Sequence, residues 1–411
     1  MPTILVVTGH YLPGYKAGGP IRSISNLVAS LGDEFDFKIL TADRDLDGIA
    51  PYPGITNGEW QECGKAHVRY LAPREQTLTS MRRILNATRY DILYLNSFFG
   101  RLTRICLGLR WGHLISNRPT IVAPRGEFSP GALALKSAKK RSYLALTKLV
   151  NFYGGIAWQA SSDYEMNDIV NTLGGRNASL SRVALAPPLP QKAPLSGRRC
   201  LPAAVAPDLS TFPDQESLEL DHLTHKVKQA GRARIVFLSR ISPKKNLVYA
   251  LKQLAQVEGD VEFDIYGPLE DKDYWRQCER LISAMPANVI VRYGGEVAAD
   301  RVRHVLSYYD LFFFPTLGEN FGHVIIEALS TGCPVLLSDQ TPWRSLTKEH
   351  VGWDISLDRP EHFRSVLQEV IDMDHAAWNE WSDAAQAYAL RVRSDPAAVE
   401  ANRQMFLESL V

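Results

Sequence analysis

The stretch "LFFFPTLGENFGHVIIEALSTGCPVLLS" (residues 311–338) indicates how the fold of this chain is built. An apolar run of strand length is followed by a glycine-containing loop and by an apolar helix pattern that ends at Gly332 and Pro334, as helices commonly do. A second apolar run begins at Val335. Because short apolar runs separated by helices are typical of buried parallel strands, this stretch predicts one strand–helix–strand unit of an α/β fold.

Apolar runs of the same kind recur along the chain. The first half contains "TILVVTG" (3–9), "FDFKILTA" (35–42), "DILYLNS" (91–97), "TIVAPRG" (120–126) and "GIAWQASS" (155–162), and the second half adds "RIVFLS" (234–239), "VEFDIY" (261–266) and "NVIVRY" (288–293). The chain of 411 residues is long enough for two cores, so we predict two doubly wound, Rossmann-like α/β domains. Since ligands of such sheets bind at the carboxyl ends of the strands, we expect the domains to face each other across a binding cleft.

A segment rich in proline and alanine separates the two halves. Residues 183–213 read "VALAPPLPQKAPLSGRRCLPAAVAPDLSTFP", a composition too irregular to predict a core element. We therefore predict a first domain at residues 1–188, a linker or insertion at 189–231, a second domain at 232–380, and two terminal helices at 381–411 that are divided at Asp395 and Pro396.

Composition excludes several classes of protein. With 46 Lys and Arg against 45 Asp and Glu, the net charge of +1 gives no general reason to expect a nucleic-acid partner. The chain has no apolar run of the roughly 18 residues that cross a bilayer, and its start lacks the features of a secretion signal. The sequence also lacks a GxGxxG fingerprint and a P-loop. The five cysteines have no metal-ligand spacing and fit a reducing cytosol; they are Cys63, Cys106, Cys200, Cys278 and Cys333.

Two loops of the second half carry charged residues directly before a helix. Glu319 precedes a helix predicted from about Phe321, whose free N–H groups favour an anion. The loop "LSRISPKKN" (238–246) brings Arg240, Lys244 and Lys245 ahead of another helix, and such cations can neutralise a diphosphate. The alternatives are a solvated basic turn and a solvated glutamate favoured by the helix dipole.

Glycines after other predicted strands allow the backbone to approach a ligand. Gly267 in "IYGPLED" (265–271) could lie near a base or a ribose. In the first half, Gly18 and Gly19 precede a helix in "TGHYLPGYKAGGPIRSISNLV" (8–28). His10 in the same loop is a candidate site residue, with an ordinary hydrogen-bonded loop histidine as the alternative.

The segments 314–339 and "SRISPKKN", together with "GHYLPGYKAGGPIRSISNLVASL" near the start, resemble the family 4 group of retaining glycosyltransferases, which have the GT-B fold and use nucleotide sugars. The resemblance implies that Glu327 binds the ribose hydroxyls and Glu319 a hydroxyl of the donor sugar. It also implies that Arg240 and Lys245 bind the diphosphate, and we expect these two residues to make the largest contribution to catalysis. Further implied donor contacts are main-chain groups of Asn320, Phe321 and Gly322 at the sugar, and Gly19 near the phosphates.

The resemblance also implies a reaction. A sugar would move with retained anomeric configuration from a UDP-, GDP- or ADP-sugar to a glycan or lipid-linked acceptor, with no cofactor and no obligatory metal. The first domain would be the acceptor side, the second would bind the nucleotide sugar, and the last helix would pack back on the first domain. By analogy the product would be a cell-surface polysaccharide. Relatives often have histidine where this chain has Arg125, which could contact acceptor or donor oxygens or simply pair with an acid such as Glu127.

A basic segment follows this loop. The stretch "ALALKSAKKRSYLALTKLVNFYGG" (132–155) mixes lysines with leucines, and such a segment can rest on an anionic membrane. We therefore expect a cytoplasmic protein that could lie peripherally on the membrane through residues 132–152. The alternative is a core-packed helix with a solvated basic face. The residues that define the segment are Lys136, Lys139, Lys140, Arg141 and Lys148 with Leu133, Leu135, Leu144, Leu146 and Leu149.

Two other functions fit the same nucleotide-binding features. One is a nucleotide-sugar epimerase of the same fold, which needs acid and base carboxylates around the sugar. The other is a non-catalytic nucleotide-sugar-binding subunit, which would be expected to lack Glu319, Glu327, Arg240 or Lys245. All four residues are present.

Overall fold

The computed structural model describes residues 1–134, 137–174, 203–206, 209 and 227–410. The chain forms two compact units, Met1–Thr211 with Asp395–Val411 and Phe212–Ser394. Each unit has a largely parallel sheet with helices, so the prediction of two doubly wound α/β domains is confirmed. Lys136, Leu135, Cys200 and most of the predicted linker at 189–231 lie outside the described residues.

The first unit is built on one mixed sheet. Its strands are β1 (Thr3–Val7), β2 (Asp36–Ala42), β3 (Trp60–Cys63), β4 (Ala66–Leu71), β5 (Ile92–Asn96), β6 (Thr120–Ala123), β7 (Ile156–Ala160) and β8 (Ala203–Val205). Their order is β3-β4-β2-β1-β5-β6-β7-β8. Of these pairings only β3 with β4 is antiparallel; the others are parallel.

Helices cover this sheet on both faces. They are α1 (Gly19–Leu31), α2 (Leu78–Ala87), α3 (Arg101–Trp111), α4 (Pro130–Ala134), α5 (Ser137–Leu149) and α6 (Asp163–Leu173), with the last helix of the chain, α13 (Pro396–Ser409). The central strand β1 shows why the sheet needs two cores. Leu5 and Val7 lie in one apolar cluster and Ile4 and Val6 in another, as alternation along a strand requires.

Helix α13 completes the first unit. The ring of Phe406 lies 5.5 Å from that of Phe35, 6.1 Å from that of Phe37 and 5.6 Å from that of Tyr94, measured between centroids. An ion pair of 2.7 Å joins Arg403 to Glu34. The last helix therefore supplies part of one apolar core of this unit.

Part of the proline- and alanine-rich segment belongs to this unit. Strand β8 lies within it and pairs in parallel with β7. Ala206 and Leu209 are buried in the core beside α13. The expectation that residues 183–213 contain no core element is therefore wrong for these positions. Three small residues are enough for an edge strand when the neighbouring strand offers its backbone groups.

The second unit has a fully parallel six-stranded sheet. Its strands are β9 (Arg232–Leu238), β10 (Asp260–Tyr266), β11 (Val289–Gly295), β12 (Leu311–Phe314), β13 (Val335–Ser338) and β14 (Gly352–Ile355). Their order is β11-β10-β9-β12-β13-β14. Strand β12 is buried on both faces, which explains its uninterrupted apolar sequence. The helices of this unit are α7 (Leu247–Leu254), α8 (Lys272–Ile282), α9 (Val302–Leu306), α10 (His323–Ser330), α11 (Pro360–Asp372) and α12 (His375–Arg393).

The C-terminal region divides between the two units. Helix α12 packs against α10 in the second unit, and α13 packs against α1 in the first. The division falls where it was predicted, because Asp395 caps α13 by accepting from the N–H of Ala397 and Pro396 begins the helix. Of the described helices, none is long and apolar enough to cross a bilayer.

Candidate active site

The connections of the second sheet mark a point where the chain changes direction. From β9 the chain proceeds to β10 and β11 on one side, and then returns to place β12, β13 and β14 on the other side. The carboxyl ends of β9 and β12 therefore lie at the switch point, where ligands of open α/β sheets bind. The loops at this point are residues 239–246 and 315–322.

These two loops bring the predicted charged residues together. The ammonium group of Lys245 forms an ion pair and a hydrogen bond with a carboxylate oxygen of Glu319. Both side chains are largely buried, with 9% and 17% of their surface exposed. The same nitrogen lies 5.2 Å from the centre of the Phe314 ring, which is within cation–π range. The pair is therefore a preorganised, poorly solvated charge centre.

Backbone contacts fix the two loops to each other. The N–H of Leu317 donates to the carbonyl of Lys244 at 2.8 Å, and the side-chain amide of Asn246 donates to the carbonyl of Pro315 at 2.9 Å. Asn246 has a left-handed backbone conformation with φ of 61°, which asparagine tolerates well. The N–H of Glu319 donates to the carbonyl of Gln340 at 3.0 Å. The Lys245–Glu319 pair therefore rests on a firmly tied backbone.

Three cations of the loop after β9 act on Glu319. Burial alone would raise the pKa of this carboxyl group, but the charges of Lys245, Lys244 and Arg240 and the hydrogen bond from Lys245 outweigh burial and lower the pKa. Glu319 is therefore ionised at neutral pH and acts as a hydrogen-bond acceptor. Arg240 also donates to Glu270 at 3.1 Å in a half-exposed ion pair.

The loop after β12 turns into helix α10 at a glycine. Gly322 has φ of 81°, and a Cβ atom there would come within 2.7 Å of Ile325 and 3.0 Å of Glu319. The helix begins at His323, two residues after the predicted start, so Glu319 lies in the loop. Glu327 lies on α10 and is buried.

Asn320 and Phe321 occupy the loop just before this helix. Both side chains are partly exposed. The Phe321 ring lies 4.9 Å from that of His323 and 5.4 Å from that of Trp343, and its carbonyl accepts a hydrogen bond from the Trp343 indole. The main chain of this loop is thus held by aromatic packing.

Gly267 brings a third strand end against the same region. Its φ is 130°, and a Cβ atom would lie 1.9 Å from the carbonyl oxygen of Ser239, the residue before Arg240. The Tyr293 hydroxyl donates to the carbonyl of Gly267 at 2.8 Å. Glycine is required here because the loop after β10 contacts the loop after β9 directly.

The first unit has its own switch point, between β1 and β5. His10 follows β1, and its Nδ1 donates to the carbonyl of Arg44 at 3.2 Å. A carbonyl only accepts, so in the neutral ring Nε2 is the acceptor. Gly18 has φ of 68° and precedes α1, of which the exposed Gly19 is the first residue.

Arg125 follows β6 in the same unit and is held by two polar side chains. Its Nε and one terminal nitrogen donate to the Asn96 side-chain oxygen at 3.0 and 2.7 Å, and that terminal nitrogen also donates to the Tyr94 hydroxyl at 2.8 Å. Arg125 has φ of 57°, an uncommon conformation for a residue other than glycine. The alternative interpretation paired Arg125 with Glu127. The carboxylate of Glu127 accepts hydrogen bonds from the Ser97 hydroxyl and from the N–H groups of Phe98 and Phe99.

Sequence reasoning missed the groups that hold Arg125. The buried carboxylate of Glu165 accepts from the N–H of Gly126 at 2.6 Å and from Ser161 at 2.8 Å. Burial raises the pKa of Glu165, while these hydrogen bonds and the charge of Arg125 act to lower it. A polar residue at the end of a buried strand, such as Asn96, was the available signal. Glu165 gave none, since "SSDYE" resembles an ordinary helix-capping sequence.

The predicted residues thus form two groups. Arg240, Lys245, Glu319 and the loop at Gly322 lie together in the second unit, with Gly267 against the residue before Arg240. His10, Gly19 and Arg125 belong to the first unit. Within the described ranges, no cluster of three or more His, Cys, Asp or Glu side chains is placed to hold a metal ion.

Comparison with known proteins gives a family match for the second unit. Residues 223–387 match the model of the family described as Glycosyl transferases group 1. The 2-deoxystreptamine N-acetyl-D-glucosaminyltransferase of Niallia circulans is 29% identical over 129 residues, which are 28% of this chain and 32% of that protein. The match therefore spans about a third of the length of this curated relative.

Solved structures match nearly the whole chain at low sequence identity. Sucrose-phosphate synthase from Thermosynechococcus elongatus has a TM-score of 0.69 and 13% identity, with 99% of both chains covered. HepE of Anabaena in complex with UDP and glucose has a TM-score of 0.64 and 15% identity, again with 99% of both chains covered. This likeness shows the GT-B fold and confirms that part of the fold prediction.

Proposed function

We propose that this chain is a retaining glycosyltransferase that moves a sugar from a nucleotide-diphosphate sugar to a glycan or lipid-linked acceptor. The observation that carries the proposal is the ion pair of Lys245 and Glu319 at the switch point of the second unit, with Lys244 and Arg240 close enough to lower the pKa of Glu319. The family match supports it, because residues 223–387 contain all four.

The cations suit a diphosphate leaving group. An ammonium group has three donors, so Lys245 can hold a phosphate oxygen while it still contacts Glu319. Arg240 can bind two phosphate oxygens with its planar fork. Preorganised donors at the place where charge develops commonly make the largest contribution to catalysis. We therefore assign Lys245 and Arg240, with the N–H groups that begin α10, to stabilising the departing diphosphate.

The two glutamates take different parts of the donor in this proposal. Glu319 is ionised, so it accepts a hydrogen bond from a hydroxyl of the donor sugar and positions the ring rather than giving a proton. Glu327 accepts from the ribose hydroxyls. Main-chain groups of residues 320–322 hold the sugar, and the backbone at Gly267 lies beside the nucleoside.

The first unit supplies the acceptor side. Arg125 remains protonated, so it cannot serve as a general base, but it can donate to acceptor or donor oxygens from its fixed position. His10 can accept a proton or a hydrogen bond at Nε2. Gly19, at the start of α1, would lie near the phosphates. The sugar is transferred with its anomeric configuration retained.

We propose further that no metal is obligatory, because Lys245, Arg240 and Lys244 already provide positive charge for a diphosphate. The four cysteines in the described residues are free thiols, which favours a reducing cytoplasm. A lipid-linked acceptor and a role in cell-surface polysaccharide synthesis complete the proposal. UDP is the first nucleotide to test, since the HepE structure holds UDP.

A donor screen tests this function. Thermal unfolding of the purified chain is followed with UDP, GDP, ADP and their common sugar conjugates, with EDTA and then with Mg²⁺. A ligand that binds only the folded state raises the unfolding temperature. The proposal is supported if the nucleotides of one base raise the unfolding temperature equally in EDTA and in Mg²⁺. It is contradicted if no nucleotide raises the unfolding temperature.

The reaction is then followed by NMR with the responding donor and simple alkyl glycosides. Product with the anomeric configuration of the donor supports retention. Conversion of the donor to its epimer without transfer would instead identify an epimerase. A nucleotide sugar that binds but undergoes neither reaction, with lipid-linked and glycan acceptors alike, would indicate a binding subunit.

A further inference from the structure

Positive charge is concentrated in one part of this nearly neutral chain. Residues 99–162 contain ten cations and one acid, Glu127, although the whole chain has a net charge of only +1. The cations are Arg101, Arg104, Arg110, Arg118, Arg125, Lys136, Lys139, Lys140, Arg141 and Lys148. The segment therefore carries a net charge of +9, whereas the rest of the chain is negative on balance.

Some of these cations serve the fold and others face solvent. Arg110 donates to the carbonyls of Gly154 and Gly155 at 2.9 Å. Lys140 donates to the carbonyl of Ala132 at 2.6 Å and lies 5.0 Å from the centre of the Phe99 ring. Arg101, Arg104 and Arg118, with Lys139 and Arg141 of α5, are exposed. The positive charge of α5 thus points outward.

Large apolar side chains are exposed beside these cations. Leu146 and Leu149, on the last two turns of α5, are 61% and 84% exposed. Leu144 and Thr147 are the buried residues of this helix, so its inner face already meets the needs of the core. Leu146 lies seven residues after Lys139 and three before Leu149, so one outer stripe carries a cation and both leucines.

The end of α3 joins the same surface. Trp111 is 51% exposed, and its indole N–H donates to the carbonyl of Val150 at 3.2 Å. Its ring also packs 6.0 Å from that of Phe152. This hydrogen bond fixes Trp111 beside the end of α5, where Val150 is 40% exposed. The α3–α5 corner, as we name it, comprises Trp111, Lys139, Arg141, Leu146, Lys148, Leu149 and Val150.

We infer that the α3–α5 corner docks this protein on an anionic lipid bilayer. Exposed leucines and a tryptophan gain free energy at the boundary between headgroups and acyl chains, where tryptophan is enriched. Exposed Lys and Arg contribute about 1 kcal/mol each near an anionic surface. A nucleic acid would use the cations but would leave the leucines in water. The inference does not depend on the proposed function, although a lipid-linked acceptor would be found at such a surface.

Vesicle binding tests the inference. The full chain is sedimented with vesicles of phosphatidylcholine alone and with vesicles that contain about 30% phosphatidylglycerol, an anionic lipid. We expect binding to the anionic vesicles, with little to the neutral ones. The L146D/L149D double variant should lower the partition coefficient by about tenfold or more, because two charges would have to enter the apolar boundary. A K139Q/R141Q variant should lower it by about fivefold for each charge removed.

Matched controls lie elsewhere on the molecule. Ile49 and Leu78, in the first unit, are 92% and 51% exposed, so I49D and L78D each introduce one of the two charges of L146D/L149D at an exposed apolar residue outside the corner, and the I49D/L78D double variant introduces both. K252Q/R276Q removes two exposed cations from the second unit. All these controls should bind anionic vesicles as the unchanged chain does. Circular dichroism and the unfolding temperature confirm that each variant is folded, since all these side chains lie at the surface.

Three results would overturn the inference. The first is that the chain binds neutral and anionic vesicles equally. The second is that L146D/L149D and I49D/L78D lose vesicle binding to the same extent. The third is that the chain binds poly(U) RNA but not vesicles, and that L146D/L149D leaves the RNA binding unchanged. Nucleotide binding in the second unit is measured on the same samples. A chain that binds nucleotide but not vesicles would refute the membrane surface alone, and the reverse result would refute the donor site alone.

Discussion

Lys245 and Glu319, 74 residues apart in the sequence, form an ion pair between the loops that follow two adjacent strands, β9 and β12. Less than a fifth of either side chain is exposed. Removing one partner of a largely buried pair leaves a poorly solvated charge, which costs about 3 kcal/mol or more. The stability of the second unit therefore depends on the same two charged residues that we assign to donor binding.

Replacing Lys245 by alanine should weaken nucleotide-diphosphate binding. A charge-assisted hydrogen bond contributes enough that we expect the dissociation constant to rise about 10- to 100-fold in calorimetric titration. Lys252→Ala, an exposed lysine on α7, is the matched control and should bind normally. Equal affinities for the two folded variants would rule out Lys245 as a diphosphate ligand.

Glu319→Ala should separate nucleotide binding from sugar transfer. Because Glu319 is assigned to the sugar, the bare nucleotide should bind within about threefold of normal, while kcat falls about 100-fold through loss of positioning. The readouts are calorimetry with the nucleoside diphosphate and the rate of product formation with the sugar conjugate. Weaker binding of the bare nucleotide with unchanged kcat would contradict the assignment.

Protonation of Glu319 should make stability depend on pH. The pKa of this group is lower in the folded chain than its ordinary value of 4.5, so its stabilising contribution is present above that value and is lost as pH falls through the folded pKa. The difference in free energy of unfolding between the unchanged chain and Glu319→Gln should therefore shrink in urea titrations as pH falls from 6 toward 3, a range of about three units. Glu349→Gln, at an exposed ion pair with Arg391, should show little difference at any pH.

Glu327→Gln and removal of a ribose hydroxyl should have the same effect. Each should weaken binding about tenfold if the carboxylate accepts from that hydroxyl. The combination of Glu327→Gln with the 2′-deoxynucleotide, or failing that the 3′-deoxynucleotide, should weaken it little further, since both changes remove one interaction. Fully additive losses for both deoxynucleotides would place Glu327 away from the ribose.

Gly267→Ala should destabilise the second unit more than Gly295→Ala does. Both glycines have positive φ, but an added Cβ meets the Ser239 carbonyl at 1.9 Å at the first position and open space at the second. We expect losses of about 3 and about 1 kcal/mol in the free energy of unfolding. Equal losses in urea unfolding would mean that the loop after β10 moves away without cost.

Strands with several apolar residues were predictable, and polar or very short strands were not. The ten predicted runs all contain strands, from β1 at Thr3–Val7 to β13 at Val335–Ser338. Strands buried on both faces, such as β12, are apolar throughout, and β10 alternates apolar with acidic residues; both patterns are typical of strands. Strand β3 (Trp60–Cys63) lies at the edge of its sheet with polar residues, and β8 is three small residues among prolines. Neither has enough apolar length to be recognised.

The charged part of the site was predictable because strand ends gather loops at one edge of a sheet. Arg240, Lys245 and Glu319 each follow a buried strand by a few residues, so the fold brings them together whatever the exact loop shape. The contacts that hold Arg125 were not predictable. Tyr94 and Asn96 lie two residues apart on β5, whereas Arg125 follows β6 and Glu165, which holds the neighbouring Gly126, lies on α6; no spacing in the sequence relates these three elements.

The first unit is discontinuous in the chain, because α13 follows the entire second unit. On the ribosome, residues 212–394 are therefore synthesised before Phe406 becomes available to cover the rings of Phe35, Phe37 and Tyr94. At roughly 5–20 residues per second this interval lasts about 10 to 40 s. During that time the nascent first unit lacks the helix that covers these rings, whereas the second unit is one continuous stretch and has every residue that it needs to fold as soon as Ser394 is synthesised.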